Sequence, residues 1–458
     1  MSASAGGSPH SEALVQLESA VRDGAVDTVL VVITDMQGRL QGKRVDARFF
    51  LDDVVEHATE GCSYLMAVDV DMRTVDGYAI SSWETGYGDF VMRPDLSSLR
   101  PVPWHDKTVL CHADLEWEDG SAVAQSPRRI LQRQRARLSE RGWTGLAGTE
   151  LEFIVFEDTY EDAWRRGFRD LTPANSYNVD YSILGTSRIE PLLGRIRRAM
   201  RAAAMPVESV KGECNLGQHE IAFRYGELVA KADEHALFKT GAKEIAAQQG
   251  CSLTFMAKFN EREGNSCHVH LSVRDADDRP VFAGDRDDGT SQVLGWWLAG
   301  MLATLPDFTL LLAPNVNSYK RFAAGSFAPT AIAWGRDNRT CAFRVVGHGP
   351  SLRVECRVPG GDVNPYLALA ALVAGGLHGV ENRLELEPQL AGNAYTSDAP
   401  RIPGTLKEAM ERFASSAVAR TALGDDVVDH YANMARVELD AFDAAVTDWE
   451  RYRCFERL

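Results

Sequence analysis

Excess positive charge is the first thing this chain lacks. Its 49 lysines and arginines stand against 65 acids, for a formal net charge of -16. That balance argues against nucleic acid or an anionic membrane as the main partner, while leaving room for a local basic pocket and an anionic small molecule. Paired cysteines are also missing. The eight cysteines (Cys62, Cys111, Cys214, Cys251, Cys267, Cys341, Cys356 and Cys454) are scattered and form no CxxC pair. Reduced, mostly buried thiols in a cytoplasmic protein are the expectation. Apolar runs are short. Residues 293–305 stop at Pro306 and Asp307, and residues 366–377 are rich in alanine and glycine and end before His378. Neither run is expected to span a bilayer. The N-terminal residues are small and polar without an apolar signal core, which reads as a flexible tail over 1–12. There is no GxxxxGK[ST] phosphate loop, no tandem repeat and no low-complexity core.

What is present is an ordinary globular composition, 45% hydrophobic and 25% charged, in a chain of 458 residues. Residues 28–34 are β-branched and strand-like, 35–38 read as a turn, and 40–45 as the hairpin return. A helix is expected near 49–60, with strands at 64–70, 90–93 and 108–113. These outline a small N-terminal α+β domain over 13–115, and the acidic turn at 116–120 opens a larger domain over 116–458. Ser126 and Pro127 begin a helix that reaches Gly142. Further helices are expected at 190–204, 232–249, 291–304 and 364–382, with a helical tail over 405–454.

Four short stretches alternate ionisable and apolar residues. They hold Glu150 and Glu152, Glu220 and Arg224, His268 and His270, and Arg353, Glu355 and Arg357. In a strand, residues i and i+2 share a face, so each stretch places polar heads on one side and apolar groups on the other. Taken singly, each could be a solvated edge. Phe153, Ile154, Val155 and Phe156 directly follow Glu152, however, which buries that strand and makes solvation of its acids difficult. Paired imidazoles are a recurrent way to hold a metal, and arginine grips two phosphate oxygens at once. Arg321, Arg339, Arg344, Arg353 and Arg357, close to carboxylates and histidines, suit a nucleoside triphosphate with divalent metals.

These segments, in this order and spacing, resemble glutamine synthetase of the bacterial class I type over nearly the full chain. The matching stretches are 148–153, 213–220, 265–270, 317–321, 338–339 and 353–357, followed by 364–370. The resemblance implies an α+β fold, with an N-terminal β-grasp domain followed by a glutamine synthetase catalytic domain, an antiparallel sheet flanked by helices. It also implies a homo-dodecamer of two hexameric rings, with each active site at a subunit interface. Position by position, Glu152, Glu213 and Glu220 match the ligands of one divalent metal, and Glu150, His268 and Glu355 those of a second. His270, Arg344 and Arg353 match nucleotide contacts, while Arg339 and Arg357 match the arginines on the transferred phosphoryl. Arg321 and Gly264 match glutamate contacts. ATP and Mg²⁺ or Mn²⁺, two or more ions per site, are therefore expected.

The chain departs from its relatives on the nucleophile side. Phe327 stands where the family's flap carries the glutamate that helps hold ammonium, although Gly325 and Pro329 around it keep the flap's outline. Asp76 is the nearest counterpart of the family's ammonium-binding aspartate and is read as the base, with Asp69 and Asp71 as rivals. Glu263 replaces an asparagine at the glutamate amino group. Exchanging a carboxylate for a ring weakens ammonium binding and leaves an apolar entrance. The expected activity is therefore an ATP-dependent ligase forming a γ-glutamyl amide from glutamate and a small amine, ethanolamine-like first and polyamine next. True glutamine synthetase and a non-catalytic scaffold are the alternatives. The scaffold would show eroded metal positions, and all six are intact. Tyr395 lies near a position that some relatives modify, but its surroundings read better as a plain loop tyrosine.

Overall fold

The computed structural model describes residues 9–458, whose strands form two sheets. The first is built from β1 (Thr28–Thr34), β2 (Leu40–Asp46), β3 (Thr59–Cys62), β4 (Asp89–Pro94), β5 (Arg100–Pro101) and β6 (Thr108–Glu116). Its order is β2-β1-β6-β4-β3, with β5 also on β6. β1 and β2 pair as the expected hairpin, and β1 runs parallel to β6. The second sheet contains β7 (Thr144–Phe156), β8 (Val207–Gly212), β9 (Gln218–Phe223), β10 (Gly226–Glu227), β11 (Ser252–Thr254), β12 (Cys267–Arg274), β13 (Trp334–Arg336), β14 (Phe343–Val346) and β15 (Arg353–Cys356). Its main path is β13-β14-β15-β12-β7-β9-β8, antiparallel except for β13 on β14.

This second sheet is amphipathic by strict alternation. Leu151, Phe153, Val269, Leu271, Val354 and Ile221 are buried on one face. They lie toward the helices Pro127–Ser139 and Leu228–Gln248, where Phe238 makes edge contacts with Phe153 and Phe223. Aromatic pairs in this geometry add about 0.5–1.5 kcal/mol each beyond area burial. The opposite face carries the ionisable residues.

A buried arginine ties the first sheet to the two helices that back the second. Arg128, on the helix Pro127–Ser139, donates to Asp114 of β6 at 2.6 Å, to Asp95 at 2.6 Å and to Asp233 at 3.0 Å. Asp233 lies on the helix Leu228–Gln248 and also accepts from the Tyr366 hydroxyl. Burial works against ionisation of Asp233, but His112, Arg128 and Tyr366 outweigh it and lower its pKa. Arg128→Met would leave buried carboxylates without their partner. We expect it to cost about 3–5 kcal/mol, read as a lower thermal midpoint of the intact protein.

Several expectations are corrected. The first turn of the helix Pro9–Arg22 takes up residues 9–12, while the rest of the expected flexible tail lies outside the described residues. Residues 63–66 are a 3-10 turn after β3, not the start of a strand. Pro306 does not stop its helix, which runs Gln292–Leu312. That helix is long and apolar enough to cross a membrane by composition alone, but it is mostly buried in the core. It packs on the helix Pro365–Asn382 so closely that a Cβ on Gly300 would sit 2.2 Å from the Gly375 carbonyl. The C-terminal helical region is four helices, broken around Ser416, Gly424 (φ +95°) and Val446.

Candidate active site

Strand register gathers the ionisable residues into one wall. Reading across the sheet, Arg344 pairs with Glu355, Glu355 with His270, His268 with Glu150, Glu152 with Glu220, and Glu220 with Lys211. Directly paired residues share a face, so the i, i+2 alternation in each strand and the pairing between strands give the same surface.

The wall divides into two adjoining chambers that share Glu150. One, of about 230 Å³, is lined by Glu150, Glu152, Glu213, Glu220 and His268 together with Glu263, Gly264, Phe327, Arg339, Arg344 and Arg357. The other, of about 430 Å³, includes His270, Arg353, Tyr225 and Glu208. Fourteen of the sixteen residues read from the sequence therefore line the chambers or, for Glu355, sit against them beside Glu150 and His268.

Glu355 is fully buried. Arg344 Nη1 donates to it at 2.9 Å, Arg357 Nη1 also donates to it, and His268 Nδ1 lies 3.7 Å away. Burial works against its ionisation, but the His268 ring and the guanidinium ions of Arg357 and Arg344 outweigh it and hold the carboxyl at about 2. Burial, reinforced by the Arg357 charge, pushes His268 down to about 4, so its ring is neutral at pH 7. Its Nδ1 lies 3.2 Å from Glu150, while His270 Nε2 lies 3.1 Å from the other Glu150 oxygen. Arg353 donates to His270 Nδ1 at 3.2 Å.

Glu152 accepts from the Ser266 N–H at 2.7 Å and from Gln218 at 3.1 Å. Burial and then the Glu213 charge raise its pKa, and burial followed by Glu150 pushes Glu220 up to about 8. Crowded, buried acids of this kind call for a cation. Glu150, His268 and Glu355 bring one ligand atom each within 4.8 Å of one another, as do Glu152, Glu220 and His268. An oxygen-rich donor set with one imidazole fits hard divalent ions. Glu213 sits slightly apart, paired with Lys211.

Three residues are placed elsewhere. Arg321 is 1% exposed, and its fork is committed to the carbonyls of Val358 (2.8 Å) and Arg357 (3.0 Å), behind the chamber wall. It packs against Gly264, where a Cβ would also meet the Ala257 carbonyl at 2.3 Å. Gly264→Ala must move that backbone. We expect a loss of about 1–3 kcal/mol by thermal unfolding. Asp76 lines neither chamber; its carbonyl accepts from Asn433 on the helix Asp425–Ala444. Asp69 likewise belongs to a different surface, beside Glu438.

The flap arches over the smaller chamber. Ser326 closes its turn on the Ala323 and Arg321 carbonyls, Phe327 adopts φ +58° and is 58% exposed, and the Tyr395 hydroxyl donates to the Ala328 carbonyl at 3.1 Å. Tyr395 is thus a flap tether. Sequence reading missed Asp180, Tyr181, Lys211 and Cys214, which complete the chamber beneath Phe327. Lys211 and Glu213 show the same i, i+2 alternation as the four stretches, so that signal was available.

Comparison with known proteins agrees with this geometry. Residues 124–454 match the family model described as glutamine synthetase, catalytic domain. γ-Glutamylethanolamide synthetase GlnA4 of Streptomyces coelicolor is 64% identical over 443 residues, covering 97% of this chain and 96% of its own length. Glutamate–isopropylamine ligase of a Pseudomonas species is 34% identical over 446 residues, covering 96% and 97%. γ-Glutamylputrescine synthetase PuuA of Escherichia coli is 31% identical, covering 92% and 90%. Among solved structures, the GmaS/ADP complex superimposes with a TM-score of 0.84 at 27% identity, covering 96% of this chain and 99% of that one.

Proposed function

The chain belongs to the glutamine synthetase family, and we propose that within it the protein is an ATP-dependent ligase joining the γ-carboxyl of glutamate to a small organic amine, ethanolamine before any polyamine. One observation carries this reading. The wall of acids, imidazoles and arginines is complete, while an aromatic ring, Phe327, occupies the flap above it. Relatives named for ethanolamide, isopropylamine and putrescine products support the same class of acceptor.

The chemistry follows from the groups present. A γ-carboxylate is a poor acyl donor. Its oxygen attacks the γ-phosphorus of ATP, ADP leaves, and γ-glutamyl phosphate results. The amine nitrogen then attacks the acyl carbon, the C–O bond to phosphate breaks, and the nitrogen loses a proton. Phosphoryl transfer of this kind is mostly positioning and charge neutralisation. Arg339 and Arg357 face the transferred phosphoryl, while His270, Arg344 and Arg353 hold the nucleotide phosphates. Gly264, Glu263 and Arg321 frame the glutamate, with the Arg321 fork turning from its carbonyl partners. Glu152, Glu213 and Glu220 would hold one divalent ion, and Glu150, His268 and Glu355 another. Mg²⁺ or Mn²⁺ bound there would supply Lewis-acid neutralisation of the phosphate oxygens.

Asp76 acts as base only if a second copy brings it in. A homo-dodecamer of two hexameric rings, in which one subunit's 13–115 domain covers its neighbour's 116–458 domain, does so. Asp69 and Asp71 are alternatives on the same surface. ATP and glutamate as substrates, with no disulfide among the described residues, support a cytoplasmic location.

Phosphate release in the presence of ATP, glutamate and Mg²⁺, measured across ammonium, ethanolamine, isopropylamine and putrescine, tests the reading. Ethanolamine should give the highest kcat/KM. Turnover with ammonium and none with organic amines would overturn it.

A further inference from the structure

The chamber beneath Phe327 contains a cation that the mechanism above does not use. Lys211 closes the end of the sheet, its position on β8 paired with Glu220. Its ammonium contacts Glu213 and lies 3.6 Å from Asp180 and 3.9 Å from Glu220. The ring of Tyr181 lies over it at 4.6 Å. All of these residues line the same cavity as Phe327 and Glu263.

The acids of this chamber can be assigned one by one. Glu152, Glu213 and Glu220 are the proposed ligands of one divalent ion, Glu150 is a proposed ligand of the other, and Glu263 faces the glutamate amino group. Asp180 is the carboxylate left for a cation at the far end of an acceptor amine, and Lys211 already stands beside it. A second substrate cation would enter next to a fixed positive charge, in a cavity of about 230 Å³, where like charges a few ångströms apart repel strongly.

We propose that Lys211, seated between Asp180 and the Tyr181 ring, is the specificity-determining residue of the acceptor subsite, and that it restricts the acceptor to amines whose far end is uncharged. This rests on the organic-amine reading above and deepens it, since it separates hydroxyalkyl and alkyl amines from diamines. Phe327 disfavours ammonium at the flap, while Lys211 disfavours polyamines at the opposite wall.

The full-length protein tests this with 3-aminopropan-1-ol and 1,3-diaminopropane, which are equal in length and differ by one charge. The wild type should favour the amino alcohol by at least about tenfold in kcat/KM. Lys211→Gln should bring that ratio toward one by raising the diamine value itself, because Asp180 is freed, and Lys211→Arg should retain the wild-type ratio. A merely structural lysine would lower both amines together and leave the ratio unchanged, which would overturn the inference. A wild-type ratio near one would overturn it without any variant, so a misfolded Lys211→Gln leaves the test intact. Wild-type turnover with ammonium alone would instead remove the organic-amine reading, and this inference with it.

Discussion

Glu355→Gln is expected to lower ATP-dependent amide formation by about 10³-fold or more. Glu355 is where the wall's charges converge. It is fully buried, accepts from Arg344 and Arg357, and lies 3.7 Å from His268. The amide is nearly isosteric but carries no charge, so Arg357 and Arg344 lose their shared counter-ion, Arg344 keeping only Asp337, and the proposed metal triad loses a charged ligand. Positive charge left uncompensated in a buried setting is strongly unfavourable. The arginines would be expected to turn away from the position proposed for the transferred phosphoryl. Titration with Mn²⁺ should show one site weakened alongside the lost rate. Activity within tenfold of wild type would show that Glu355 is a structural counter-ion and not part of the reaction machinery.

Phe327→Glu should move the acceptor preference toward ammonium. The ring is more than half exposed on a flap whose turn is held by Ser326 and whose far side is tethered by Tyr395. The exchange therefore need not disturb the core. A carboxylate above the chamber offers ammonium a charge-assisted hydrogen bond worth about 1.5–3 kcal/mol, or about 10–10² in rate. The same charge removes the apolar contact that a short alkyl chain makes. Ammonium kcat/KM should rise by roughly that factor while the ethanolamine value falls, as read by glutamine and amide formation in parallel assays. A uniform loss with both acceptors would mean that the ring supports only the flap's shape.

Much of the site was legible because strand alternation is a rigid rule. Glu150 and Glu152, His268 and His270, and Arg353 and Glu355 had to share faces once their segments were strands, and pairing then placed those faces side by side. What failed to show was tertiary. Pro306 reads as a stop, yet the helix continues past it to Leu312, packed in the core against a second apolar helix. The Arg321 motif identifies the residue but cannot show that its fork is taken up by the Val358 and Arg357 carbonyls. Lys211 alternates with Glu213, but a single lysine in a half-exposed strand also looks like ordinary surface. Its meaning comes from Asp180 and Tyr181, which stand 31 and 30 positions earlier in the chain and on a different segment.

Glutamate activated as in the rest of the family but delivered to an organic amine must favour that amine over ammonium. Competition tests it most directly. The full-length protein is given ATP, Mg²⁺, glutamate and equal concentrations of ammonium and ethanolamine, and both products are quantified by mass spectrometry. γ-Glutamylethanolamide is expected in large excess over glutamine, with one ADP formed per amide. Glutamine as the main product would contradict it.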